Sequence, residues 1–144
     1  MMTKTRKDFI STRLWLQNVM TNDVILCGVS ALEYLEMFSG FFDEAIIDVY
    51  SIQKGLYNNI NYNIVDSYDD IDYFISDNVC CTTFEQTIND MLSDFENTDE
   101  MALTEALSNY YYSHNESFEG LNIKPENKDT FEQLKQPVID YYGG

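Results

Sequence analysis

The hydrophobic pattern of this chain changes period twice, and that change limits the folds open to it. From residue 4 to about residue 38, apolar side chains recur at helical spacing. From 45 to 82 they alternate or gather in β-branched runs, and from 84 to 141 helical spacing returns. Helices, then strands, then helices predict an α+β fold, and 144 residues fit a single domain, 1–144. Phe9, Ile10, Leu14, Leu16 and Val19 predict a first helix over residues 4–20. The run Val24, Ile25, Leu26 ends at Gly28 and is too short to assign to helix or strand. Ser30 with Glu33 reads as a capping box. Leu32, Leu35 and Phe38 then form one face, and Gly40 is the expected stop.

In the middle, residues 45–52 (AIIDVYSI) are rich in β-branched residues, and Ile60, Tyr62 and Ile64 alternate with Asn61 and Asn63. Lys54, Gly55 and the pair Asn58, Asn59 suit the connection. Ile71, Tyr73 and Ile75 alternate with Asp72, Phe74 and Ser76, placing Asp72 opposite an apolar face; Asp77 and Asn78 signal a turn before a last strand at 79–82. The expectation is a small antiparallel sheet of three to four strands, a meander packed with four to five helices. In VCCTTFEQTINDML, Thr82 with Glu85 or Thr83 with Gln86 forms a capping box. Phe84, Ile88, Met91, Leu92 and Phe95 follow on one helical face. Another helix starts near residues 97–100 and carries Met101, Leu103, Ala106, Leu107 and Tyr110. A last one runs from Asp129 through Phe131, Leu134, Val138 and Tyr141, kinked or limited by Pro137, within the C-terminal segment 125–144.

Charge narrows the function. The formal net charge is −17, and Lys4, Arg6, Lys7 and Arg13 are half of the eight basic residues. Between residues 55 and 123 there are 14 acids and no Lys or Arg. Such a surface repels nucleic acid, and it either attracts a basic protein partner or simply keeps the chain soluble. The sequence has no long apolar run, no signal-peptide pattern and only three cysteines, so a cytoplasmic, reducing location is expected.

The residues that could carry chemistry are few. Catalysis by Cys80 or Cys81 needs a base, and the only histidine, His114, follows the next predicted helix. Adjacent cysteines on a strand point to opposite faces, so one of the two is expected in the core. Zinc is not expected, since there is no paired-cysteine spacing and only one histidine. Asp69, Asp70 and Asp72 could gather a divalent cation but lack the calcium-loop pattern, and no phosphate loop or cofactor motif occurs. Gly28, Val29 and Ser30 before a helix, with Asp48 on the next strand, match the start of a nucleotidyltransferase; the Asp-x-Asp metal pair fails because position 50 is Tyr50. Tyr110, Tyr111 and Tyr112 place tyrosine on a helix that cannot bury all three rings, as at protein interfaces.

Two segments resemble the C-terminal part of the AbiEi family, the antitoxins of a bacterial abortive-infection (type IV toxin–antitoxin) system. GVSALEYLEMF followed by IIDVYS is similar to a family helix and strand. NVCCTTFEQTINDML followed by EMALTEALSNYY resembles a strand-to-helix signature, with Thr83, Glu85, Thr87 and Asp90 at signature positions and Gln86 where Arg is common. The resemblance covers about residues 24–112. The family's winged helix is not expected, because residues 1–20 are too short for it, and promoter binding goes with it. The resemblance implies a non-enzymatic acidic binding protein, without metal or cofactor, that neutralises or regulates a basic or nucleic-acid-handling protein partner. Asp69, Asp70, Asp72, Asp99, Glu100 and Tyr111 are the expected partner-binding residues. A phage-type nucleic-acid mimic that inhibits a host nuclease (anti-CRISPR or anti-restriction) is an alternative. A degenerate nucleotidyltransferase-like or Cys/His enzyme is another.

Overall fold

The computed structural model describes residues 24–38, 47–55, 60–76 and 79–143. The predicted helix at 4–20 with its basic cluster, the stop at Gly40, the Asn58–Asn59 link and the Asp77–Asn78 turn lie outside them. The chain is α+β, with one mixed sheet of five strands and four α-helices among the described residues. In order these are β1 (Val24–Leu26), α1 (Gly28–Tyr34), β2 (Ile47–Ser51), β3 (Ile60–Ile64), β4 (Tyr73–Ser76), β5 (Val79–Thr82), α2 (Phe84–Ser93), α3 (Glu100–Ser113) and α4 (Lys128–Gly143). Short 3-10 turns, Phe95–Asn97 and Pro125–Asn127, precede α3 and α4.

The sheet order is β3-β2-β1-β5-β4. This corrects the expected antiparallel meander of three to four strands: β2 and β3 are parallel, and so are β1 and β5. A short link between two strands reads as a hairpin, but residues 52–59 have more reach than a hairpin needs. Fully extended, they span about 27 Å, and β2 is only about 17 Å long. The chain can therefore run back and begin β3 beside the start of β2, pairing Ile47 with Ile60.

α1 departs from the sequence pattern at both ends. Its N-cap is Cys27, which makes no side-chain cap bond, and Ser30 is buried inside the helix. The Ser30–Glu33 capping box is therefore absent, because the Ser30 hydroxyl is taken by the Asp48 N–H of β2. The helix also ends at Tyr34, before Gly40. Glu36 enters the left-handed region (φ 61°), and the Met37 N–H returns to the Leu32 carbonyl at 2.9 Å, satisfying the last turn as a glycine would.

Two hydrophobic clusters meet at α1. Leu32 packs with Ile88, Met91 and Leu92 of α2, with the inner face of α3, and with Phe131, Leu134 and Val138 of α4. Ala31 packs instead with Leu26, Ile47, Val49, Ile60, Val79 and Cys81 of the sheet. Each large side chain buried this way contributes about 1.5–3 kcal/mol. From Ala102 to Ser108 every residue of α3 is buried, polar Thr104, Glu105 and Ser108 included, so this helix is the central one of the helical layer. α4 continues through Pro137 to Gly143, so the proline does not limit it.

The expected phase of the third strand is inverted. Tyr73 and Ile75 are exposed, whereas Phe74 packs on the sheet cluster. β4 is an outer strand, and the apolar residues 73, 74 and 75 supply both of its faces. Alternation alone did not say which face turns inward. The cysteine expectation also needs correction: Cys80 and Cys81 are both buried, because β5 lies inside the sheet with both faces covered.

Candidate functional site

A cleft of about 210 Å³ opens where the β1–α1 turn, β2, β3 and the C-terminal half of α2 meet. Its first wall follows from how β1 ends. The Cys27 N–H continues the β1–β2 ladder to the Asp48 carbonyl at 3.0 Å. The chain then turns through Gly28, at φ +54°, into α1. A Cβ at this glycine would meet the Asp48 carboxylate at an ordinary 3.6 Å, so backbone conformation, not crowding, calls for glycine there. One turn on, Ser30 Oγ accepts the Asp48 N–H at 2.8 Å. Both backbone groups of Asp48 are thereby fixed, and Asn61, its register partner on β3, donates to Oδ1 at 3.0 Å. Oδ2 has no hydrogen-bond partner among the described residues.

Two residues along β2, the Tyr50 hydroxyl donates to Asp90 Oδ2 on α2 at 2.7 Å, and Gln86 Nε2 donates to Oδ1 at 2.8 Å. Asp94, Asn97, Thr98 and Asp99 complete the rim beyond α2. Among the described residues, four aspartates line the cleft and no Lys or Arg does. Burial pushes the Asp48 carboxyl above the ordinary carboxylate range, against the pull of Asn61. It does the same to Asp90, against the bonds from Tyr50 and Gln86 and the positive charge of Lys124. The Tyr50 phenol is pushed up by burial and by Asp90. The Cys27 thiol at the cleft floor is pushed well up by burial, then by the two carboxylates.

The nucleotidyltransferase pattern read in the sequence comes together in part. Gly28, Ser30 and Asp48 are neighbours, but Tyr50 stands where the second metal ligand would be. It spends its hydroxyl on a carboxylate from another element, Asp90. Among the described residues, no group of three or more His, Cys, Asp or Glu side chains is arranged to hold a metal ion.

Three of the four signature residues, Thr83, Glu85 and Thr87, lie at the β5–α2 junction, and Asp90 lies further along α2. Thr83 caps α2 by accepting the Gln86 N–H at 3.2 Å. The Thr87 hydroxyl donates to the Thr83 carbonyl at 2.7 Å and lies 2.6 Å from the Thr82 hydroxyl; its single proton is spent, so Thr82 is the donor there. Glu85 Oε1 accepts the Asn122 N–H at 2.8 Å. Asp90 alone of the four lines the cleft.

The expected partner-binding residues are dispersed. Asp69, Asp70 and Asp72 are exposed before β4, where the Asp72 N–H donates to Gln86 Oε1 at 3.0 Å. Asp99 lines the cleft and also caps α3 through the Ala102 N–H at 3.0 Å; Glu100, beside it, is exposed. Tyr111 is partly buried, packed on the helical cluster and against the Phe118 ring at 4.8 Å. His114 stacks on Tyr110 at the exposed end of α3 and bonds to the Tyr110 carbonyl, whereas Cys80 lies buried in β5. Burial pushes the Cys80 thiol up, and that of Cys81 to about 12.

Sequence reading missed the use of Tyr50 and Asp90 as one unit and the role of Asn89. Asn89 donates to the Glu85 and Asn122 carbonyls, and it accepts from the Lys124 N–H and from Asn127. Its one signal was a polar residue falling among the apolar positions of α2. The chain matches no protein-family model and no curated protein.

Proposed function

We propose that this chain is a non-enzymatic acidic binding protein that engages a basic protein partner, as the resemblance to AbiEi antitoxins implies, and neutralises or regulates it in the cytoplasm. The observation that carries the reading is the cleft: four aspartates, two of them with carboxyls raised by burial, and no Lys or Arg among the described lining residues. Half-buried carboxylates are costly when little cationic charge faces them, and of these two only Asp90 feels a nearby cation among the described residues, Lys124. A Lys or Arg head entering from a partner lowers that cost by donating to Asp48 Oδ2, which accepts no bond from the described residues. The exposed acids Asp69, Asp70 and Asp72 would add long-range attraction. The test is to capture a partner from a lysate with the wild-type chain, then to measure its binding to an Asp48→Asn/Asp90→Asn variant across ionic strength. Faster dissociation of the variant, with its fold intact, supports the reading. Unchanged kinetics at low salt would remove the cleft from it.

A second reading, a degenerate nucleotidyltransferase, is favoured by the meeting of Gly28, Ser30 and Asp48. Titration of the chain with a nucleoside triphosphate and Mg²⁺ separates the two: saturable binding lost in Asp48→Asn speaks for the second.

A further inference from the structure

β4 is an outer strand of the sheet, with β5 as its one partner among the described residues. The Thr83 N–H donates to the Asp72 carbonyl at 3.1 Å, and the next pair along is Tyr73 with Thr82. Bonded and non-bonded pairs alternate along an antiparallel ladder. Phe74 and Ser76 therefore turn their backbone groups toward β5, and Tyr73 and Ile75 turn their N–H and C=O groups outward. These same two residues are 39% and 58% exposed, with their side chains on the face opposite Phe74. An outer strand whose outward backbone groups meet no partner strand among the described residues, and whose apolar side chains are exposed, is a template for strand addition.

Charge decides what can pair there. Asp66, Asp69, Asp70 and Asp72 are exposed just before the strand, and no Lys or Arg occurs between residues 55 and 123. A second copy of this chain would bring another −17 and the same acids to the contact. A basic segment would be drawn to it. We infer that β4 receives an extended, lysine- or arginine-bearing segment of the partner protein as an added strand, bonded to the outward backbone groups of Tyr73 and Ile75. The inference rests on the reading of the partner as basic. It uses a surface apart from the cleft, whose lining includes no residue of β4.

The probe is a short synthetic peptide alternating lysine with valine, titrated calorimetrically into the full chain. A second peptide has the same sequence with every backbone nitrogen methylated, which keeps the charge and removes the donors. The unmethylated peptide is expected to bind about tenfold more tightly, the worth of one or two hydrogen bonds. Ile75→Pro is expected to reduce that preference, because proline is tolerated where a strand N–H faces outward yet removes that donor. The methylated-peptide comparison on the wild-type chain stands if the proline variant fails to fold. Equal binding of the two peptides overturns strand pairing while leaving a basic partner in place, and absence of binding by either overturns the inference. A wild-type dimer in sedimentation that Ile75→Pro dissolves would assign the edge to self-pairing instead.

Discussion

Asn89→Ala tests a buried polar residue that ties α2 to the segment before α4. Asn89 is buried on α2. Its amide donates to the Asn122 carbonyl at 2.9 Å; its carbonyl oxygen accepts the Lys124 N–H at 2.9 Å and Asn127 Nδ2 at 3.1 Å. These three bonds tie the segment before α4 to α2, with help from the Glu85–Asn122 bond and from Ser93, which donates to Asn127 at 3.1 Å. The fourth bond, to the Glu85 carbonyl one turn back, is local and its loss matters less, since that carbonyl keeps its place in the helix. At about 1 kcal/mol net per bond, losing three costs about 3 kcal/mol. Asn127 limits the damage by keeping its bond to the Asn89 main-chain carbonyl at 3.1 Å. For a chain of this size a loss of about 3 kcal/mol lowers Tm by about 6–12 °C. The assay is urea unfolding followed by far-UV circular dichroism, with hydrogen exchange at the Lys124 amide as a local readout. A Ser113→Ala control at the exposed end of α3 is expected to cost about 0.5 kcal/mol or less. A loss below about 1 kcal/mol for Asn89→Ala, with Lys124 still protected, would show that the segment is held by its apolar contacts and that the polar clasp adds little.

Four further outcomes follow from the geometry. Cys27, Cys80 and Cys81 are buried with raised thiol pKa values, so alkylation near pH 8 is expected to be slow in the native chain and fast after unfolding; rapid labelling of the native chain would contradict this. Asp48 and Asp90 hold a proton more tightly folded than unfolded. Folding therefore takes up protons, and their contribution rises as pH falls from neutral and levels off below the ordinary carboxylate range. Unfolding measured against pH should show that rise flattened in Asp48→Asn/Asp90→Asn relative to wild type. Neutralising exposed Asp69, Asp70 and Asp72 to Asn should leave stability within about 0.5 kcal/mol and slow association with a captured partner at low salt only; equal rates would reduce these acids to a solubility role. Last, gel shifts of the chain with duplex DNA or RNA at physiological salt should show no binding, and a micromolar shift would direct attention to Lys4, Arg6, Lys7 and Arg13.

By itself the sequence determined the elements whose signals are local. α2 is capped by Thr83 and carries Ile88, Met91 and Leu92 inward because a cap and a helical period are properties of neighbouring residues. The strands at Ile47–Ser51, Ile60–Ile64 and Val79–Thr82 fall where β-branched and alternating residues lie, and the α+β class follows from their order. Only tertiary structure decided what depends on partners distant along the chain. Ser30 looked like a cap and became a ligand of the Asp48 backbone 18 residues away. Strand direction and order were not legible, since a short link permits a parallel return as well as a hairpin. The inward face of β4 was fixed by which side met the core, because both sides carried apolar residues. The cleft was the least legible of all: nothing along the chain links Asp48 and Tyr50 of β2 to Asp90, 40 residues beyond Tyr50. A carboxylate acquires its raised pKa from the burial and neighbours that packing gives it, and spacing along the chain carries no record of these.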